Sequence, residues 1–307
     1  MHSESAHLNS ESANLNGGCT DESGPTLYVV ATPIGNLRDI TLRALDTLKA
    51  VDVVAAEDTR VSRRLLSHFG IQAQLISTHG HNERDSAQKI VALLAQGSSV
   101  ALVSDAGTPA VSDPGEIVVA EVRRAGYRVV PIPGPSAILA AIASAGLPSA
   151  SFCFHGFLPA RKGERAKALL KLTESASLQI FFEAPHRIVE CIEALALAFG
   201  GERRIGIARE LTKLFEQVHV CRLIEAGEWI AKDDNRQRGE FVLLIEGAAQ
   251  VEGQDAAQEA RRVLEILLRE LPLKQAVSIA AEISAVKKNA LYETALRIRQ
   301  ENGENEQ

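Results

Sequence analysis

The chain has few cysteines and no two of them close together. Its four, Cys19, Cys153, Cys191 and Cys221, form no CxxC. That argues against a zinc site or a disulfide framework and for reduced thiols in a cytoplasmic protein. Long apolar runs are also missing. The longest, Ala137–Ala143 extended to Leu147, is too short and too broken to span a bilayer, so no membrane partner is expected. Residues 1–25 contain no lysine, no arginine and no apolar stretch, which excludes a secretory signal. Rich in Ser, Asn and Glu, they read as a disordered acidic tail. Neither GxGxxG nor GxxxxGK[ST] occurs, which counts against a dinucleotide dehydrogenase and a P-loop NTPase. Net positive charge is lacking too: the formal charge is −6, at first sight unsuited to nucleic acid. Much of the acid lies at the ends, in Glu4, Glu11, Asp21 and Glu22 and in Glu301, Glu304 and Glu306. The body, 27–299, is near charge balance, and local basic clusters on such a body can bind a polyanion.

What is present is a soluble globular composition, 46% hydrophobic over 307 residues, enough for more than one domain. Apolar, β-branched runs alternate with helical spacings from Leu27 onwards. Leu27–Ala31, Asp52–Ala56, Gln74–Ser77, Val100–Val103 and Arg128–Ile132 read as strands. Thr41–Ala50, Thr59–Phe69, Asn82–Gln96 and Glu116–Ala125 read as helices between them, and Pro135 suits the first turn of another. This alternation predicts a parallel, doubly wound sheet. A change of composition near Leu147-Pro148 marks a boundary, giving α/β domains over 26–147 and 148–247. In the second, Ser151–Phe157, Leu178–Phe182, Arg204–Ala208 and Phe241–Glu246 are the clear strands. Ala166–Leu172, opened by the basic loop Ala160–Arg165, and Ile188–Phe199 are helices. Gly247–Asp255 reads as a linker. Residues 256–300 carry only helical signals, with breaks near Leu271-Pro272 and Ile283-Ser284. They are net basic and suit either a helix-turn-helix-like module or a helical cap.

The most informative stretch is Val103-Ser-Asp-Ala-Gly-Thr-Pro-Ala-Val-Ser-Asp-Pro-Gly115. It joins a buried strand to a helix and is long for such a turn. Gly107 and Gly115 permit backbone angles closed to other residues, and Pro109 and Pro114 stiffen the loop. Open α/β sheets bind ligands at the carboxyl ends of their strands. Pro33–Leu37, Glu57–Arg60, Asp105–Gly115 and Pro133–Ala137 should therefore converge on one rim. The carboxylates Glu57, Asp58, Asp105 and Asp113 suit hydroxyls, an ammonium or a sulfonium better than a phosphate.

Five long motifs, in order, carry a resemblance: Ala31–Leu37 (ATPIGNL), Glu57–Arg60 (EDTR), Ser104–Gly115, Pro131–Ala137 (PIPGPSA) and Phe181–Arg187 (FFEAPHR). Over Leu27–Gly247 the chain resembles the bacterial 16S rRNA cytidine 2′-O-ribose methyltransferases of the tetrapyrrole-methylase-like superfamily, and its helical tail resembles their small C-terminal domain. The resemblance implies a two-domain, class III methyltransferase fold with S-adenosylmethionine in the cleft, a homodimer, and 16S rRNA of the small ribosomal subunit as substrate. Residue by residue, Asp105, Ala106, Gly107, Thr108, Pro109, Ser112 and Asp113 would hold the cofactor with Pro135, Ser136 and Ala137. Pro33 would border the reacting methyl, and Phe182 and Glu183 the adenosine side.

Methyl transfer to a ribose hydroxyl is in large part positioning, yet the 2′-OH needs its proton accepted. Glu57, Asp58, Lys162 and His186 are the candidate catalytic residues. Glu57-Asp58 sits at the rim beside Asn36, although Asp58 equally suits a helix N-cap. Arg60, Arg63 and Arg64 form one basic cluster and Arg161, Lys162 and Arg165 a second, both suited to an RNA backbone. His186 equally suits a structural role. His79 and His81 lack a nearby third ligand, and no metal is expected. A precorrin-type tetrapyrrole methyltransferase and a non-catalytic ribosome-assembly factor are the competing functions on this fold.

Overall fold

The computed structural model describes residues 24–78, 83–249, 254–284 and 286–304. The acidic tail up to residue 23, His79 and His81, Cys19, and residues 250–253 of the linker lie outside the described residues.

The first half alternates strictly. β1 (Thr26–Val30), α1 (Leu42–Ala50), β2 (Val53–Ala56), α2 (Thr59–His68), β3 (Gln74–Ser77), α3 (Glu83–Ala95), β4 (Val100–Val103), α4 (Glu116–Arg124), β5 (Arg128–Ile132) and α5 (Ala137–Ala145) follow in turn. The strands form one parallel sheet in the order β3-β2-β4-β1-β5. Period-two alternation splits each strand between two cores. Val54 and Ala56 of β2 pack with Leu48 and Leu66 under α1 and α2, while Val53 and Ala55 pack with Ile90, Val118 and Val122 under α3 and α4. This is the doubly wound arrangement expected from the sequence. Helix starts follow local chemistry: Thr41 Oγ1 accepts from the Ala44 amide at 3.1 Å, the usual way to satisfy a first-turn donor.

The second half is a mixed sheet. β6 (Phe152–Phe157), α6 (Lys162–Leu170), β7 (Leu178–Glu183), α7 (Ile188–Phe199), β8 (Arg204–Arg209), β9 (Gln217–Arg222), α8 (Leu223–Ala231) and β10 (Phe241–Ile245) give the order β6-β7-β10-β8-β9. β6 and β7 are parallel, and β10 and β9 run antiparallel to their neighbours. β9 and α8 are additions to the four strands read from sequence. α7 and α8 cover one face of this sheet. The other face is covered by α5, whose Ile138, Ala141 and Ala145 pack with Ile180, Ala208, Val242 and Leu244. The sequence break near residue 147 therefore follows a helix that belongs, by packing, to the second sheet.

Pro135 lies before the N-cap of α5. Ser136 is the cap, and its hydroxyl accepts from Leu139 N at 3.4 Å. The first-turn placement of Pro135 is corrected by two residues: α5 begins at Ala137, behind a Ser whose hydroxyl caps its first turn. α9 (Gln254–Glu270), α10 (Leu273–Ser284) and α11 (Lys288–Glu304) pack around their own core of Leu264, Val277, Leu291 and Ile298. Among the described residues no helix is long and apolar enough to cross a membrane.

Candidate active site

The loops that follow β1, β2, β4 and β5 converge as parallel topology requires. Thr32 and Gly107 exchange both backbone hydrogen bonds, at 2.8 and 3.0 Å. Thr32 Oγ1 donates to Ser104 O at 3.1 Å, and Thr108 Oγ1 to Pro135 O at 3.4 Å. The Asp58 amide donates to Asp105 Oδ1 at 3.0 Å, and the Asp105 amide to Glu57 Oε2 at 3.4 Å. The β4–α4 loop is held in a rare shape. Gly107 has φ +78°, and Ala110 and Ser112, which are not glycines, have φ +67° and +63°. Such residues persist only where their surroundings over-determine them. Glu83 Oε1 supplies part of this constraint by accepting from the Gly115 and Ile117 amides at 2.8 and 3.0 Å. It caps α4, whose own N-cap glycine has no side chain to do so.

The second sheet closes over this rim. A Cβ added at Gly156 of β6 would meet Ser112 Oγ at 3.0 Å, so glycine allows the two halves to approach. Between them lies a cavity of 410 Å³. Ala106, Gly107, Thr108, Ser112, Asp113, Ser136 and Ala137 line it from the first sheet's side, and Phe182 and Glu183 from the second. Pro33, Asp105, Pro109 and Pro135 sit in the same loops without lining it; Pro33 and Pro109 are buried beneath. Sequence reasoning missed Ile34, Phe157, Leu211 and Glu240, which also line the cavity. Leu211 and Glu240 flank β8 and β10, and the strand-end rule that found the other loops, applied to Arg209–Lys213, would have found Leu211.

The candidate catalytic residues are dispersed. None of Glu57, Asp58, Lys162 and His186 lines the cavity. Asp58 is the N-cap of α2. It accepts from Arg60 N at 2.8 Å and from the Arg60 guanidinium at 2.6–3.2 Å. These bonds hold its carboxyl well below the usual range and give it the N-cap role that its residue type also suits. Glu57 is half-buried behind Asp105. His186 is exposed in the 3₁₀ turn Pro185–Arg187, next to the cavity-lining Pro185. Asp113 is the perturbed group: burial, then the charges of Glu57 and Asp105, push it up to about 6 against the hydrogen bond of Ser104.

Arg63, Arg64, Arg161 and Lys162 are exposed, and Arg60 is exposed while bonded to Asp58. Arg165 is not part of a basic surface. α6 starts at Lys162, four residues earlier than expected, and this phase turns Arg165 and Leu169 inward together. The Arg165 side chain is 2% exposed and pairs with Glu190 at 3.3 Å, which removes it from the RNA-facing set. Beneath the cavity, the fully buried Glu183 pairs with Arg187 at 3.2 Å, and its Oε2 has no hydrogen-bond partner.

Residues 26–227 match the family described as Tetrapyrrole (Corrin/Porphyrin) Methylases, and residues 254–299 match the RsmI C-terminal HTH domain. Solved structures share the fold at low identity. The methyltransferase CobJ aligns with TM-score 0.56 at 22% identity over 74% of this chain and 95% of its own. The cobalt precorrin-4 methyltransferase CbiF aligns at 0.54 and 18% over 72% and 94%. Curated relatives are much nearer. The ribosomal RNA small subunit methyltransferase I of Vibrio cholerae is 51% identical over 89% of this chain and 94% of its own. That of Pseudomonas aeruginosa is 51% identical over 90% and 98%, and that of Escherichia coli O157:H7 49% over 90% and 96%. With the fold, the strand-end cavity and the helical tail agreeing, the chain belongs to the tetrapyrrole methylase family, among its ribosomal RNA small subunit methyltransferases I.

Proposed function

We propose that this chain is an S-adenosylmethionine-dependent methyltransferase that 2′-O-methylates a cytidine ribose in the decoding region of 16S rRNA, acting in the cytoplasm as a homodimer on the small ribosomal subunit. The observation that carries the reading is the cavity between the two sheets, acidic on one wall and aromatic on the other. Its 410 Å³ suits a small-molecule ligand. Phe157 and Phe182, with centroids 5.8 Å apart, offer a wall for a flat base. Asp113, with Asp105 and Glu57 nearby, offers negative charge to a sulfonium or ammonium. The residues thus fit the cofactor, which when bound supplies an electrophilic methyl on a good leaving group.

The chain's own part is to bind, orient and take a proton. The loops Thr32–Asn36 and Asp105–Gly115, which supply Ile34 and residues from Ala106 to Asp113 to the cavity wall, would hold the cofactor. Asp113, which lines the cavity, would accept the proton lost from the 2′-OH, with Glu57, bonded to the Asp105 amide, as the second carboxylate close by. His186, exposed next to the cavity-lining Pro185, and the exposed Lys162 at the start of α6 would orient the ribose. The α/β domains 26–147 and 148–247 share the cofactor, and the helical domain 256–300, together with Arg63, Arg64 and Arg161, grips the RNA.

Labelled methyl transfer to small subunits from cells lacking this gene, followed by nucleoside mass analysis, tests the reading. A 2′-O-methylated cytidine is expected. Transfer to a tetrapyrrole precursor instead would overturn the substrate, and cofactor binding without transfer to either would point to an assembly factor. On the same substrate, Arg63→Ala with Arg64→Ala is expected to weaken subunit binding about tenfold at moderate salt and to flatten its salt dependence by about one to two charges. Cofactor affinity should be untouched, and an equal loss at all salt concentrations would count against a backbone contact.

A further inference from the structure

Two segments far apart in sequence meet at one edge of the cleft. The first follows the cavity-lining Ile34 of the first domain, and the second follows the cavity-lining Leu211 of the second. The Asn36 amide donates to Thr212 Oγ1 at 3.1 Å. At Gly35 there is no room for a side chain: an added Cβ would lie 2.5 Å from Lys213 Cγ, 2.8 Å from Thr212 Oγ1 and 3.0 Å from Leu211 O.

The second segment is built to hold still. Glu210 and Thr212 have φ +51° and +65°, so Leu211 sits between two non-glycine residues in the left-handed region, which other forces must maintain. Those forces are visible. Thr212 N donates to Glu216 Oε2 at 2.6 Å. Lys213 Nζ donates to Glu210 Oε1 at 2.8 Å and to Glu240 Oε2 at 2.9 Å. Glu210 and Glu240 also exchange bonds through their amides, at 3.0 Å each. Glu240 lines the cavity as well. A strained, cross-braced loop thus reaches over to the first domain one residue beyond the cavity wall on each side.

We infer that Gly35 and Thr212 form an interdomain clasp that sets the width of the cleft and so positions the bound cofactor, an inference that rests on the methyltransferase reading. Thr212 is a positioning residue: it acts through Asn36 and Leu211. Because the clasp lies at the edge of the cleft and outside both cores, its loss should move cofactor affinity far more than stability.

The test is calorimetric titration of the full chain with S-adenosylmethionine, beside thermal melting without it. Thr212→Ala removes the acceptor and is expected to weaken binding about fivefold. Gly35→Ala forces the segments apart and is expected to weaken it by more than about tenfold. Thr212→Ser keeps the hydroxyl and should bind like the wild type. The melting temperature of the Thr212 variants should move by less than about 2 °C. Wild-type affinity in Thr212→Ala, or equal losses in Thr212→Ala and Thr212→Ser, would overturn the clasp, and this comparison stands even if Gly35→Ala does not fold. No binding by the wild-type chain would overturn the cofactor reading and the clasp with it.

Discussion

Arg187→Met is expected to lower the unfolding free energy by about 3 kcal/mol or more, the usual loss when one partner of a buried ion pair is removed. For α/β domains of this size that corresponds to a fall in melting temperature of about 6–12 °C. The Glu183 side chain is fully buried and Arg187 lies 3.2 Å from it. The Arg187 Nη2 also donates to Leu158 O at 2.6 Å and Pro159 O at 3.3 Å. Methionine keeps much of the aliphatic stem but leaves a buried carboxylate without its cation and two carbonyls without a donor. Glu183→Gln should cost less, because Arg187 keeps both carbonyls and a neutral amide tolerates burial. The double variant should recover part of the Arg187→Met loss, and a double-mutant cycle by denaturant unfolding measures the coupling. A loss below about 1 kcal/mol for Arg187→Met would mean that water reaches the pair.

The first domain was legible because its signals are local. Apolar β-branched runs gave all five strands, and Gly, Pro and Asp between them gave the loops that converge. Thr41, Asp58 and Ser136 cap helices through their own side chains, as their residue types suggest. What stayed hidden depends on phase or on distant partners. Arg165 looks like Arg161 and Lys162 until the start of α6 is fixed, because burial is set by which residues lie four apart. The allegiance of α5 was hidden because Ala137–Ala145 is apolar on every side, so no face tells which sheet it covers. β9 is a partly exposed edge strand carrying Gln217, His219 and Arg222, and lacks the apolar run that marked the others. Glu240 reaches the cavity from the start of β10, beside the Glu210 with which it exchanges hydrogen bonds, and no local pattern encodes that pairing. Asp113 reads from sequence as a ligand contact, and its titration follows from neighbours that only the fold brings to it.

That titration yields a paired outcome for Asp113→Asn. Methyl transfer should fall by about 100-fold or more in kcat/KM, as for loss of a general base, and the wild-type rate should rise with pH through about 6, the value for the folded chain. The rise should be absent from the variant. Stability should move the other way. The folded-state value lies above the ordinary 3.8, so the folded chain holds this proton more tightly than the unfolded chain. The proton's stabilising contribution is complete below about 3.8 and is lost as pH rises through about 6. A shift of about two pH units is worth about 2.7 kcal/mol, and solvent screening at a half-buried site reduces this to about 1 kcal/mol. Asparagine mimics the protonated acid at every pH. Asp113→Asn should therefore melt a few degrees above the wild type at pH 7.5 and together with it near pH 4. A variant that is inactive but no more stable at pH 7.5 would place the carboxylate in a relaxed, solvated setting. One that is more stable yet fully active would remove Asp113 from the chemistry and leave Glu57 as the proton acceptor. Loss of activity with gain of stability at the same residue is what a charge held in place for catalysis, against the preference of the fold, should give.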